Sequence, residues 1–242
     1  MDFNKHIYEL KKLFDENNIC ESHGIKHAIS VMNHAICALE VHTYTISQIE
    51  YNSIIIASLL HDADDYKFFP NNQNNDNARY LLKDNSEDFI DLVINMIELV
   101  SSSKNADTIP DSIQNKEWML IPRYADRLEA IGIIGIERCY KYNKTINKPL
   151  YLPTTLRATN IEELLLIATK ERYNTYCGNS ISMIDHYYDK LIRLSDFSIK
   201  NQYLNQMAII NNKPIIDLVL FFGKNKTIND DDILMFIKNY NY

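Results

Sequence analysis

Glycine and proline are scarce in this chain, five and six among 242 residues. Sandwiches and barrels need turns and bulges at short, regular spacing, and this composition supplies little material for them. A mainly α fold is therefore expected. The four cysteines, Cys20, Cys37, Cys139 and Cys177, form no Cys-x-x-Cys pair and are too sparse to staple a chain of this length. They read as reduced, mostly buried thiols. Positive charge is in deficit as well: 25 Lys and Arg against 32 Asp and Glu leave a formal charge of -7. Neither a phosphate backbone nor an anionic bilayer attracts such a protein, which argues against nucleic-acid polymers and membrane surfaces as partners but leaves room for a local basic pocket. No run of about 18 apolar residues occurs, and Met1-Asp2-Phe3-Asn4-Lys5-His6 lacks the basic-then-apolar build of a signal peptide. The expectation is a soluble, cytoplasmic protein.

What the chain does have is apolar content, 46%, spaced at helical period. Residues 2–17 predict a helix through Phe3, Ile7, Leu10 and Phe14, and residues 25–42 a second. A third follows Thr45 or Ser47, either of which can cap it, and its run Ile54-Ile55-Ile56-Ala57-Ser58-Leu59-Leu60 is apolar nearly all round, the mark of a central position. Helices are expected near 76–84 and 87–100, from Trp118 or Pro122 to about 142, and near 160–174 and 180–195, with loops at 69–75, 101–112 and 143–160. Residues 1–195 read as one domain. Residues 196–242 read as a helical extension packed on it, since a segment of that size would struggle to bury a core of its own.

The informative residues are polar ones set in apolar helices. His61 and Asp62 close the most hydrophobic helix, where an ionised carboxylate is costly unless something compensates it. His27 lies early in the second helix, and Asp126 lies in Tyr124-Ala125-Asp126-Arg127-Leu128-Glu129-Ala130, another buried-looking helix. Two imidazoles and two carboxylates from three helices suit a divalent metal. The lack of thiolates leans away from structural zinc and towards Mn, Mg, Fe or catalytic Zn.

The order His27, His61-Asp62, Asp126 resembles the H…HD…D signature of HD-domain metal-dependent phosphohydrolases. His27-x-x-x-Val31, His61-Asp62-x-x-Asp65-x-Lys67 and Ala125-Asp126-Arg127-Leu128-Glu129-Ala130-Ile131-Gly132-x-x-Gly135-Ile136-x-Arg138 are similar to a subgroup of small stand-alone members. The resemblance implies an all-α bundle over the 1–195 domain. It further implies one or two divalent ions, Mn or Mg foremost with Zn, Fe, Co or Ni as other occupants. The activity implied is hydrolysis of a phosphate ester or anhydride in a small metabolite, frequently a nucleotide. His27, His61, Asp62 and Asp126 would hold the metal, with Asp62 bridging if two ions bind.

Around this set stand residues with two readings each. Asp65, if the third helix continues past it, returns to the face of His61 and Asp62 and could orient water or accept a proton; otherwise it is a solvated carboxylate. Lys67 could neutralise a substrate phosphate or be a surface lysine. Arg127 and Arg138 are candidate phosphate forks, with a structural ion pair the other reading of Arg127. His186 and Lys190, at i and i+4, could face a pocket together with Lys190 on a phosphate, or belong to a solvated face with Asp185 and Asp189. Gly132 and Gly135, inside an expected helix, suggest close packing against another helix. His6 and His42 read as surface residues, His23 as lying just before its helix, and His34 as a core or supporting histidine. The residues after 195 could form a homodimer surface or cap the core. Two further readings stay open: a non-catalytic HD module that binds metal or nucleotide, and a di-iron oxygenase, which would need more histidines than His23 and His34 supply.

Overall fold

The structure, a computed structural model, describes residues 2–19, 23–72, 74–100 and 108–240. Cys20 and most of the expected 101–112 loop lie outside them. Among the described residues every regular element is helical, so the fold is all-α as expected. None of these helices is long and apolar enough to cross a membrane. The chain divides into two compact units: Met1–Asp126 with Ser198–Asn205, and Arg127–Phe197 with Gln206–Tyr242.

In the first unit, α1 (Phe3–Glu16) starts where the Asp2 carboxylate accepts the backbone N–H groups of Asn4 and Lys5. Its buried residues are His6, Leu10 and Phe14. These are spaced i, i+4, i+8 and so form one face, which turns His6 inward in place of the surface position expected for it. Burial lowers the His6 pKa below the ordinary value.

Helix α2 (Ile25–Glu40) follows, then α3 (Gln48–Leu60). Ser47 and Glu50 form a reciprocal capping box at the start of α3: Glu50 N–H donates to Ser47 Oγ, and Ser47 N–H to the Glu50 carboxylate. From Ser53 to Leu60 every residue of α3 is buried, and the helix packs between α2 and α5 (Glu87–Val100), with the short α4 (Asp76–Leu81) ahead of α5. The two buried serines satisfy themselves by donating to carbonyls one turn back, Ser53 to Ile49 and Ser58 to Ile54, both at 2.8 Å. After short 3-10 turns around the buried Trp118 comes α6 (Ile121–Ala130), whose residues through Asp126 belong to this unit.

The second unit contains α7 (Gly132–Thr145), α8 (Ile161–Ile167), α9 (Lys170–Asn174), α10 (Met183–His186), a π turn over Tyr187–Leu191, α11 (Ile192–Leu194), most of α12 (Gln202–Asn225) and α13 (Asp230–Tyr240). The single helix expected to run to residue 142 is thus two, broken at Ile131 and Gly132. Gly132 takes φ +74, a left-handed conformation that ends a helix at little cost only for glycine. A side chain there would also meet Asn211 of α12 at 3.2 Å, so the expected close approach to another helix holds at this position. Gly135 differs: its crowding, 2.4 Å, is against the Ala130 carbonyl at the end of α6. The expected 160–174 helix is likewise two, because Thr169 starts a new cap that accepts the Arg172 N–H.

Three thiols are described and free. Cys37 and Cys139 are partly covered and Cys177 is exposed, a departure from the buried state expected for it. Burial pushes the Cys139 thiol up to about 12, so it stays protonated at neutral pH.

Because α3 has no solvent face from Ser53 to Leu60, truncation within that stretch should be far costlier than at its entry. Ile56→Ala is expected to lose about 2–5 kcal/mol in urea unfolding. Ile49→Ala, at a side chain 61% exposed, is expected to change stability by no more than about 0.5 kcal/mol.

Candidate metal centre

Three chain segments of the first unit bring polar groups to one point. The start of α2 supplies His27, the residues just beyond α3 supply His61 and Asp62, and α6 supplies Asp126. The two Nε2 atoms of His27 and His61 are 3.2 Å apart. Asp126 Oδ1 lies 3.4 Å from the first and 3.5 Å from the second. Asp62 Oδ2 faces the same nitrogens, at 3.7 Å from His27 and 3.4 Å from His61. An ion equidistant from atoms about 3.4 Å apart sits roughly 2.0–2.1 Å from each, the bond length of first-row metals to nitrogen and oxygen. His27, His61 and Asp126 therefore form a cluster suited to one divalent metal ion.

The protonation pattern fits as well. His61 Nδ1 is 2.8 Å from the Ser58 carbonyl, which can only accept, so Nδ1 carries the hydrogen and Nε2 presents its lone pair to the cluster. Burial by itself would lower the His61 pKa, but the Asp62 charge and the Asp126 hydrogen bond outweigh it and hold the imidazole well above its ordinary range. Burial would raise Asp126; hydrogen bonds from His27 and His61 reverse this and hold it well below the usual carboxylate range. Asp62 is lowered too, against its own burial, chiefly by His61. A proton and a metal ion are thus rival occupants of one site, and the proton must leave as the metal arrives. The imidazoles are almost fully covered, whereas the Asp62 and Asp126 side chains keep 20% and 30% exposure, so the centre opens to solvent on its carboxylate side.

The other residues singled out in the sequence have individual settings. Helix α3 stops at Leu60, so Asp65 does not return along a helix to the face of His61. It sits in the following turns, where its carboxylate accepts the Lys67 N–H at 2.9 Å and lies 3.6 Å from the Lys67 ammonium. Lys67 is 66% exposed and its Nζ also comes within 3.5 Å of His23 Nε2. His34 places Nδ1 at 2.7 Å from the Tyr203 hydroxyl, a supporting arrangement as expected. His42 is half-buried and stacks on Tyr44.

Arg127, Arg138 and Lys190 belong to the second unit. Arg127 is buried, and Arg138 donates to the Glu129 carbonyl at 3.3 Å, bracing the break between α6 and α7. Lys190 lies in the π turn, its ammonium 6.0 Å from the centre of the Tyr176 ring. The wider i→i+5 turn alters the register on which the i, i+4 pairing of His186 with Lys190 was based. Nor is Asp185-x-x-x-Asp189 a solvated face. Arg172 bridges the two carboxylates at 3.2 and 2.5 Å, and Asp185, only 5% exposed, also accepts from Thr155 and Ser182. The burial of Asp185 is tolerated because its carboxylate is hydrogen-bonded on both oxygens and shares the Arg172 charge with Asp189.

Two contributors escaped the sequence reading. The Ser58 carbonyl has no side-chain signature at all. Asp64, which no motif singles out, accepts three hydrogen bonds from the segment around α4.

The structure is an all-α fold carrying a His/His/Asp group that resembles a metal-binding triad. The fold is similar to that of an HD-superfamily hydrolase from Bacillus thuringiensis, with a TM-score of 0.62 and 21% identity over 93% of this chain and 97% of that one. A protein of Lactobacillus plantarum gives a TM-score of 0.63 at 20% identity, over 93% and 96% of the two chains. Bacillus subtilis YpgQ in complex with ADP gives 0.58 at 19%, over 91% and 97%. No family model matches. At the level of sequence, the chain belongs to the family of the uncharacterized protein L803 of Acanthamoeba polyphaga mimivirus, with 39% identity over 228 residues, 86% of this chain and 91% of that protein.

Two outcomes follow from these geometries. Added Mn²⁺ should raise the melting temperature of the wild type in a concentration-dependent way, as any ligand selective for the folded state does; in Asp126→Asn the rise should be largely lost, as read by thermal-shift measurement. The second concerns His186, which contacts the Tyr176 hydroxyl at 3.2 Å and whose pKa is lowered to about 4 by burial and by Lys190. Its neutral ring contributes stability fully above the ordinary value of 6.5, and that contribution is lost as pH falls through 4. The loss is at most about 3 kcal/mol. Denaturant titrations between pH 7 and 4 should show a shallower decline in His186→Gln than in wild type.

Proposed function

We propose that the protein is a metal-dependent phosphohydrolase acting on a small phosphorylated metabolite, a nucleotide in the first instance. The observation that carries this is the convergence of two covered imidazole nitrogens and the Asp126 carboxylate within 3.2–3.5 Å of one another, open to solvent on the carboxylate side. Support for the substrate class comes from fold relatives, one described as a hydrolase and another solved with ADP.

In this reading His27, His61, Asp62 and Asp126 hold the ion, Mn²⁺ or Mg²⁺ foremost. A divalent ion so bound supplies an acidified water and positive charge for the phosphoryl oxygens. The chain's own residues do the remainder. Burial of both imidazoles fixes them against rotation, and the Ser58 carbonyl keeps the His61 Nδ1 proton out of the centre. Asp62, lying against both histidines and partly exposed, brings its carboxylate to the ion from the solvent side. Asp65 braces the loop that carries Lys67, whose exposed ammonium, beside Asp65 and His23 in this structure, would turn onto a phosphate as a point charge.

Purified protein with Mn²⁺ or Mg²⁺ should release phosphate or pyrophosphate from members of a nucleotide panel, and Asp62→Ala should lower the rate at least a hundredfold. Absence of turnover with every divalent metal, together with tight nucleotide binding, would refute the enzyme and favour a binding module.

A further inference from the structure

Between Asp64 and α4 the chain makes an eleven-residue excursion that includes Asp65, Lys67 and Pro70. Its two ends are stitched together. Asp64 Oδ1 accepts the Asn72 side-chain amide at 2.7 Å and the Asn77 N–H at 3.0 Å, while Oδ2 accepts the Ala78 N–H at 2.9 Å. In return the Asn77 amide donates to the Ala63 carbonyl at 2.8 Å. Helix α4 has need of this. Its own cap residue, Asn75, stands at φ 55 and makes no side-chain cap bond, so the second and third N–H groups of the helix are satisfied by a carboxylate more than ten residues upstream.

Asp62 lies inside this arrangement. On one side His61 is anchored through Nδ1 to Ser58; on the other, Ala63 is fully buried with its carbonyl held by Asn77, and Asp64 follows with three bonds of its own. The Asp62 backbone is thus fastened both before and after, at a point where α3 has ended and no longer dictates the direction of the side chain. We propose that Asp64 is a positioning residue, whose capping of α4 fixes the turn that aims the Asp62 carboxylate at His27 and His61 and so sets the affinity of the centre for its ion. This rests on the metal-site reading above. Groups that orient ligands from outside the coordination sphere commonly change metal affinity about 10- to 100-fold when removed; here the orientation is transmitted through the main chain.

The test is the Mn²⁺ dissociation constant, measured by calorimetry on the full chain. Asp64→Ala is expected to bind about 10- to 100-fold more weakly. Asp64→Asn, which keeps the size and one acceptor oxygen, is expected to fall between it and wild type, and it decides the question if the alanine variant does not fold. Asn160→Ala serves as the control. It removes an ordinary N-cap from α8, where Asn160 accepts the Glu163 N–H, and should lower the melting temperature without changing Mn²⁺ affinity. Wild-type binding matched within about twofold by Asp64→Asn would overturn the positioning role alone. So would a loss of affinity in Asn160→Ala as large as in Asp64→Asn, since general destabilisation would then account for both. A wild type that binds no divalent metal would overturn the proposed function and this inference with it.

Discussion

Two carboxylates and two imidazoles held within a few ångströms, at the fully buried end of a helix, are an unstable arrangement unless positive charge is shared among them. Without a metal the charge comes from a proton, which is why the pKa of His61 is raised while those of Asp62 and Asp126 are lowered despite burial. With a divalent ion the same compensation is provided more strongly and at shorter range. Much of the first unit can be understood as the scaffolding for this compensation. The capping box starts α3, the back-bonded serines allow its centre to be buried, and packing against α2 brings His27 to its far end.

The geometry also separates two tasks by exposure. The nitrogen donors are sealed, so their direction is set by packing and by a backbone carbonyl. The oxygen donors are partly open, so water and an anionic ligand approach from their side. Histidine suits the covered positions because it binds metal as a neutral group, whereas a carboxylate taken fully out of water would bear a larger desolvation cost.

The fold class was legible from scarcity of glycine and from helical period, and the centre from charged residues placed where apolar ones belong. Both signals are local in sequence and strong in energy. What escaped were features that depend on neighbours distant in the chain or on backbone conformation. The inward turn of His6 follows from sharing a face with Leu10 and Phe14, against a pattern that equally admits Phe3 and Ile7. The break at Gly132 depends on a left-handed residue that helical periodicity cannot reveal. The buried Asp185 and the half-buried Asp189 share Arg172, and the π turn that follows Asp185 shifts the register on which an i, i+4 argument rests. Nothing in the sequence singles out Asp64, because its partners begin eight residues away.

The bond from His61 Nδ1 to the Ser58 carbonyl does more than choose a tautomer. Ser58 belongs to the last turn of α3, whose carbonyls have no partners further along the helix. His61 therefore seals the end of the helix that delivers it, and one ring serves the backbone with one nitrogen and the centre with the other. Replacing it with alanine removes a helix terminator together with a donor atom, so loss of function in that variant would mix folding with chemistry. Among the described residues Asp126 makes no side-chain hydrogen bond to the backbone, and its conversion to asparagine is the cleaner way to ask what the centre does.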